Sequence, residues 1–250
     1  MKNRFILYTL LYFAIILLPQ QLLAQGQVAS RLIRGDDFQI AVGYDFHRVD
    51  FKDLNRSIRA AGFPELSEDI HSVSFMAQNI SDKWMLTLKT SYAFKNKASL
   101  ASKEIDYSNQ QFSLGLGYNV LTSDKARLLP SLMATLGRNM LLIQDKTSTP
   151  ANFQSLLQNP AQEADLRNFT YLADAGLAYH YQFYRRERDR ETGKRSTWVP
   201  LIIKAGYRFQ LGESDFKFDG DKVAGVPDIS MEGFYASVHI GLGTKLLPAN

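Results

Sequence analysis

The chain has 250 residues, with 29 Lys and Arg against 25 Asp and Glu, and 16 Phe, 12 Tyr and 2 Trp. So even a charge balance gives no reason to expect nucleic acid as a partner. It has no cysteine, which excludes disulfides, so an exported chain of this composition must hold itself together by a good core or by closing a sheet on itself.

The first element is a secretory signal. Lys2 and Arg4 precede an uncharged apolar run from Phe5 to Leu18, Pro19 breaks it, and Leu22-Leu23-Ala24-Gln25 offers a small residue for cleavage. The pattern predicts a signal peptide over residues 1–24, removed on export, and a single mature domain over 25–250. Without Lys2 and Arg4 the balance is 27 basic to 25 acidic residues. No second apolar stretch of about 18 residues follows, so a spanning helix is not expected.

The rest of the chain alternates with period 2, the mark of half-buried strands. In the first strand Phe38, Ile40, Val42, Tyr44 and Phe46 share one face, and Gln39, Ala41, Gly43, Asp45 and His47 the other. The same apolar phase runs through Val73, Phe75 and Ala77 of a second strand, Ile70 to Ile80. It continues through Trp84 to Phe94, Phe112 to Val120, Leu128 to Leu136, Phe169 to Phe183 and Leu201 to Leu211. The last strand sets Phe234, Ala236, Val238, Ile240 and Leu242 against Tyr235, Ser237, His239 and Gly241. This gives eight strands, many about 10 residues long, which is enough to cross a bilayer when tilted.

The connections alternate in length. Ser81 to Lys83 and Thr122 to Ala126 are short. Val49 to Asp69, Lys95 to Ile105, Gln144 to Arg167 and Gly212 to Ile229 are long. Arg185 to Ser196 breaks the pattern and reads as a solvated hairpin extension. In the first long loop Leu54, Ile58 and Ala61 predict a short helix, started by Asp50 or Asp53 and ended by Gly62 and Pro64. Phe153 to Gln158 predicts a further helical turn.

A soluble ligand-carrying barrel has the same strand count but turns its apolar phase inward. Three features favour the inverted arrangement. The polar phase is rich in glycine (Gly43, Gly115, Gly117, Gly176, Gly206, Gly241 and Gly243), as a narrow, filled interior requires. Aromatic residues gather towards strand ends on the apolar phase, as two interfacial rows. The asymmetry of loop lengths is that of an outer-membrane barrel with periplasmic turns. The expected fold is therefore all-β: an eight-stranded antiparallel up-and-down transmembrane barrel with short periplasmic turns and long extracellular loops. In size and layout it resembles the small outer-membrane barrels of Gram-negative bacteria, the OmpX-type class, over nearly the whole mature chain. That resemblance implies the outer membrane as location and its lipid as surroundings. One departure is the tail from Thr244 to Asn250: many members end on an aromatic residue, whereas here the last is Tyr235.

The residues that carry chemistry fall on the inward phase: Asp45, His47, Lys89, Asp174, His180, Lys204, Arg208 and His239. They are expected to form a structural polar network, because a charge facing lipid is costly. Asp45 and His47 lie two apart on one face, but no metal-ligand spacing supports them, so neither metal nor cofactor is expected. Ser237 and His239 also share a face. Lipid A deacylases have a similar strand number, but their order is His-x-Ser and their pair faces lipid. The main expectation is a non-enzymatic barrel with a structural or surface-binding role through its loops, monomeric, with lipid and an extracellular ligand as partners. The alternative is a narrow-lumen transporter of small or hydrophobic molecules, and the third reading is a lipid-modifying enzyme. Leu86, Leu116, Leu177 and Val238 are expected to face lipid. If Tyr184 and Trp198 are opposed across the sixth hairpin, Asp174 faces Arg208.

Overall fold

The computed structural model describes residues 37–81, 83–123, 125–145, 163–188 and 195–246. The signal segment and the turn at Phe153 to Gln158 lie outside the described residues. Eight long strands form the barrel: β1 (Asp37–Arg48), β2 (Asp69–Ile80), β3 (Trp84–Ala93), β4 (Lys103–Tyr118), β5 (Ala126–Asp145), β6 (Glu163–Arg188), β7 (Arg195–Glu213) and β8 (Gly233–Leu246). Each pairs antiparallel with its neighbours in sequence. β1 and β8 close the ring, from Phe38 opposite Thr244 to His47 opposite Tyr235. A closed ladder leaves no strand edge among these eight within the barrel, which is what a sheet crossing lipid requires.

The apolar phase faces outward. Leu86, Leu116, Leu177 and Val238 are 46%, 58%, 47% and 49% exposed, while the alternate residues turn into a filled interior. Outward aromatics form two rows. Trp84, Tyr118, Tyr179 and Phe183 stand at the short-turn end, and Tyr44, Tyr92, Phe112, Phe169, Tyr171 and Phe209 at the long-loop end. Trp84 meets Tyr118 edge-on with ring centroids 5.1 Å apart, and Tyr207 meets Phe234 at 5.2 Å. An apolar band edged by such rows is the outer surface of a bilayer-spanning barrel. Pro130 sits in β5 one step past the end of the β4 ladder, which stops at Gly117 opposite Ser131, so its missing N–H costs no rung there.

Inward glycines make room for large neighbours. A Cβ at Gly43 would run into the His239 ring, at Gly243 into the Trp198 indole, and at Gly176 or Gly206 into the Tyr235 hydroxyl. Each such pair fills the lumen where two full side chains would collide.

Several strands run beyond their sequence-predicted ends. β4 starts at Lys103 and not near Phe112, and the expected loop from Lys95 to Ile105 is a hairpin in which Asn96–Leu100 pairs with Lys103 to Tyr107. β5 and β6 stay paired out to Gln144 opposite Glu163. Outside the bilayer no apolar outer phase is needed. The alternation there gives way to Lys95, Lys97, Glu104 and Asp106, which hid the strand. At the other end Val120 lies past β4, in a turn that includes the short strand Leu121–Thr122.

The segment Arg185 to Ser196 is strand on both sides, from Arg185 opposite Trp198 to Arg188 opposite Arg195, with residues 189–194 outside the described set. Tyr184 is opposed to Val199, not to Trp198. A bulge between Gln182 and Tyr184 then shifts the register by one, and Asp174 meets Arg208 after all.

The long-loop end carries its own core. Helix α1 (Lys52–Ala60) buries Leu54, Asn55 and Ile58. Ala61, expected on that face, is exposed, because the helix ends one residue earlier and Gly62 takes a φ of 79°. Asp50 Oδ1 accepts from the Lys52 N–H at 2.9 Å, although Phe51 is the residue at the cap position.

Candidate functional site in the barrel interior

Phase alone decides which side chains enter the lumen, and all eight sequence-predicted residues do so. Asp45, His47, Asp174, His180, Arg208 and His239 are each under 10% exposed. Lys89 Nζ bonds Asp45 Oδ1 at 2.8 Å. Arg208 forks onto Asp174, with Nε to Oδ1 at 2.7 Å and Nη2 to Oδ2 at 3.1 Å. Thr135 Oγ1 adds a bond to Asp174 Oδ2 at 3.3 Å. Such paired, hydrogen-bonded charges are the form in which ions persist away from water. Asp45 and His47 do not act together: the carboxylate turns to Lys89, and His239 Nε2 approaches it at 3.6 Å. His180 stands apart, with Nδ1 3.1 Å from Gln39 Nε2. Lys204 ends 2.7 Å from Met133 Sδ and 5.5 Å from the centroid of the Tyr235 ring. Arg208 lies 5.8 Å from the same centroid, so one aromatic ring is shared by two cations.

Other lumen residues carry no signal beyond phase. At the short-turn end Asp37 is gripped by Arg127 and, at 3.5 Å, by Lys245 Nζ, and Trp198 is buried at the same end. Towards the long-loop end the amides form a directed chain. Gln111 Nε2 donates to Asn109 Oδ1 at 2.6 Å, Asn109 Nδ2 to Asn139 Oδ1 at 2.6 Å, and Asn139 Nδ2 to Asn168 Oδ1 at 2.8 Å. The Tyr107 hydroxyl donates to the same Asn139 oxygen at 2.7 Å. No spacing rule in a single strand announces this chain, because its members come from three strands.

Above the amides the interior becomes apolar. Val49, Phe51, Leu54, Ile58, Ile105, Tyr107, Leu141, Phe216, Ile229 and Met231 pack into one cluster. Phe51 meets Tyr107 edge-on with centroids 4.8 Å apart. The first and last long connections are stitched together by Asp50 N–H to Ser230 O at 2.7 Å. Asn55 clamps Leu66 through both backbone groups, at 3.0 and 2.9 Å. Met231 N–H donates to Gln210 Oε1 at 2.8 Å, tying this cap to β7. On its outer face, Lys95 reaches Asp106 at 3.1 Å and Lys97 reaches Glu104 at 2.6 Å. The Asp106 bond holds the Lys95 ammonium above its usual range. Burial, and then Asp228 beside it, pushes the Glu213 carboxyl up to about 7.

The arrangement suits packing better than acyl transfer. Ser74 Oγ bonds His239 Nε2 at 2.8 Å, and Asp45 approaches that same nitrogen. In a nucleophilic triad the serine and the acid sit on opposite ring nitrogens. Ser237, which shares a strand face with His239, is buried with no bond from its hydroxyl, and Ser74 is fully buried. Among the described residues no group of three His, Cys, Asp or Glu is placed to hold a metal.

No protein-family model matches the chain, and no curated protein does. Solved structures do align with it. Ail, the attachment invasion locus protein of Yersinia pestis, is 13% identical and aligns over 84% of this chain and 98% of its own, with a TM-score of 0.41. Neisserial surface protein A is 9% identical over 84% and 95%, with a TM-score of 0.34. The outer-membrane protease OmpT of Escherichia coli is 8% identical over 84% and 96%, with a TM-score of 0.31. The barrel itself rests on the closed ladder of this chain.

Proposed function

We propose that the protein is a non-enzymatic barrel of the bacterial outer membrane, monomeric, whose work is done by the surface of its capped long-loop end. The observation that carries this reading is the filling of the barrel from end to end. Trp198 and the Asp37 cluster occupy one end, the ion pairs and amide chain the middle, and an apolar cluster the other end. A packed interior leaves the rim as the place where a partner can be met. The partner class in view is an extracellular ligand at the helix α1 face, where Lys52, Arg56 and Arg59 are exposed.

The orientation follows from the signal segment: the mature N-terminus starts in the periplasm and β1 runs outward. The test uses the absence of native cysteine. Arg56→Cys should react with a membrane-impermeant maleimide on intact cells, and Asp189→Cys should not. Labelling of Asp189→Cys alone would invert the orientation. In planar bilayers the purified protein should give no steady conductance. A stable open channel would support the narrow-lumen transporter instead, and altered lipid acylation in a deletion strain would support the enzyme.

A further inference from the structure

The lumen holds more positive than negative charge. Among the described residues within the aromatic rows and just past them, the cations are Lys89, Arg127, Lys204, Arg208 and Lys245, and the carboxylates are Asp37, Asp45 and Asp174. Every carboxylate is engaged: Asp37 with Arg127 and Lys245, Asp45 with Lys89, and Asp174 with Arg208. Lys204 is the cation left over. Its ammonium touches only the Met133 thioether, a weak acceptor, and the Tyr235 ring face.

An uncompensated ammonium in a water-poor interior is expensive, and a counter-charge is the direct remedy. Lys204 lines a small cavity together with Lys89, Arg208, Tyr235, His47 and Asp45. Two buried donors on that wall have no acceptor: Arg208 Nη1, on a side chain 5% exposed, and the Tyr235 hydroxyl. With Lys204 they make three donors against one free carboxylate oxygen, Asp45 Oδ2. His47 Nε2 is also free and takes either role according to tautomer.

We propose that this cavity is a binding site for one small monovalent anion of the halide class, held by Lys204, Arg208 and Tyr235. The space takes about one water-sized species. That size excludes phosphate, sulfate and organic acids and leaves a monatomic ion such as chloride. The bound ion neutralises Lys204, gives Arg208 Nη1 and the Tyr235 hydroxyl an acceptor, and completes the polar packing of the lumen. It is a structural ion in this arrangement, not cargo.

The test is the urea unfolding midpoint of the full mature chain in detergent, with sodium chloride exchanged for sodium gluconate at constant ionic strength. A bound ion raises the midpoint with the logarithm of chloride concentration. Lys204→Met should abolish that dependence and, in gluconate, unfold no earlier than the native chain. Crystals soaked in bromide should show an anomalous peak bounded by Lys204, Arg208 and Tyr235. Equal midpoints in the two salts, a chloride effect that survives in Lys204→Met, or ordered bromide only elsewhere would each overturn the site. Should Lys204→Met not fold, Tyr235→Phe removes a single donor, and it should weaken the apparent chloride affinity several-fold while leaving the barrel closed.

Discussion

Between its aromatic rows the barrel is apolar outside and polar inside; beyond the row at the long-loop end it is polar outside and apolar inside. The same strands pass through both regions. On its outward phase β4 carries the exposed Leu114 and Leu116 in the first, and in the second Asp106 and Glu104, which are buried under Lys95 and Lys97. Inward it carries Ser113 and Gln111, then Tyr107 and Ile105. The backbone does not change; the solvent does. In lipid the hydrophobic effect cannot drive the interior together, so hydrogen bonds and ion pairs fill it. In water the usual rule returns, and the loops fold inward around Phe51 and Ile229.

The largest expected effect sharpens the polar half of this contrast. Asp174→Ala and Arg208→Ala each leave a buried charge alone, at about 3–5 kcal/mol. The double substitution should cost less than the sum, because the second removes the charge that the first orphans. Double-mutant cycles of urea unfolding measure this directly, and strict additivity would break the pair. Next in size is the outer face. Leu116→Arg, in the apolar band, should cost about 2–4 kcal/mol, whereas Ala61→Arg, exposed beyond the helix, should cost little. Equal tolerance at both positions would remove the bilayer from the explanation.

A smaller effect probes the apolar half. Ile58→Val trims one methylene from the cap, at about 0.5–1.5 kcal/mol. That loss should speed amide exchange in α1 and at Met231 while leaving the β1–β8 ladder protected, since the cap opens without the barrel. The smallest effect is one of pH. The Glu213 carboxyl is raised to about 7 in the folded protein against an ordinary 4.5. The folded state therefore holds that proton more tightly. This contribution is complete below about pH 4.5 and is lost as pH rises through about 7. Cap exchange at Met231, corrected for intrinsic rates, should quicken across that window in the native chain. It should show no such dependence in Glu213→Gln.

The membrane half was legible in the sequence because lipid imposes period 2 on every strand. Phase alone placed Leu86, Leu177 and Val238 outside and His47, Lys204 and His239 inside. It also brought Asp174 opposite Arg208, although by a route that needed correction: Tyr184 and Trp198 are not opposed, and the bulge at Phe183 restores the register. The cap was nearly illegible. Beyond Leu54 and Ile58 of α1, its core takes one to three residues each from β4, β5 and the long connections, so no local period marks Phe51, Ile105, Leu141 or Ile229. The hairpin at Asn96–Leu100 was hidden for a related reason, since strands in water need no apolar outer phase. The Asp37–Arg127 pair was out of reach too: its members are 90 residues apart, and only the closed ring brings β1 and β5 across the lumen from each other.

The central claim is a closed barrel that resides in a membrane. Gel migration of the membrane-fraction protein, with and without boiling, tests it most directly. The closed, ion-paired barrel should resist detergent unfolding at room temperature and run at a different position from the boiled chain. Recovery of the protein in the soluble fraction, with identical migration before and after heating, would contradict the account.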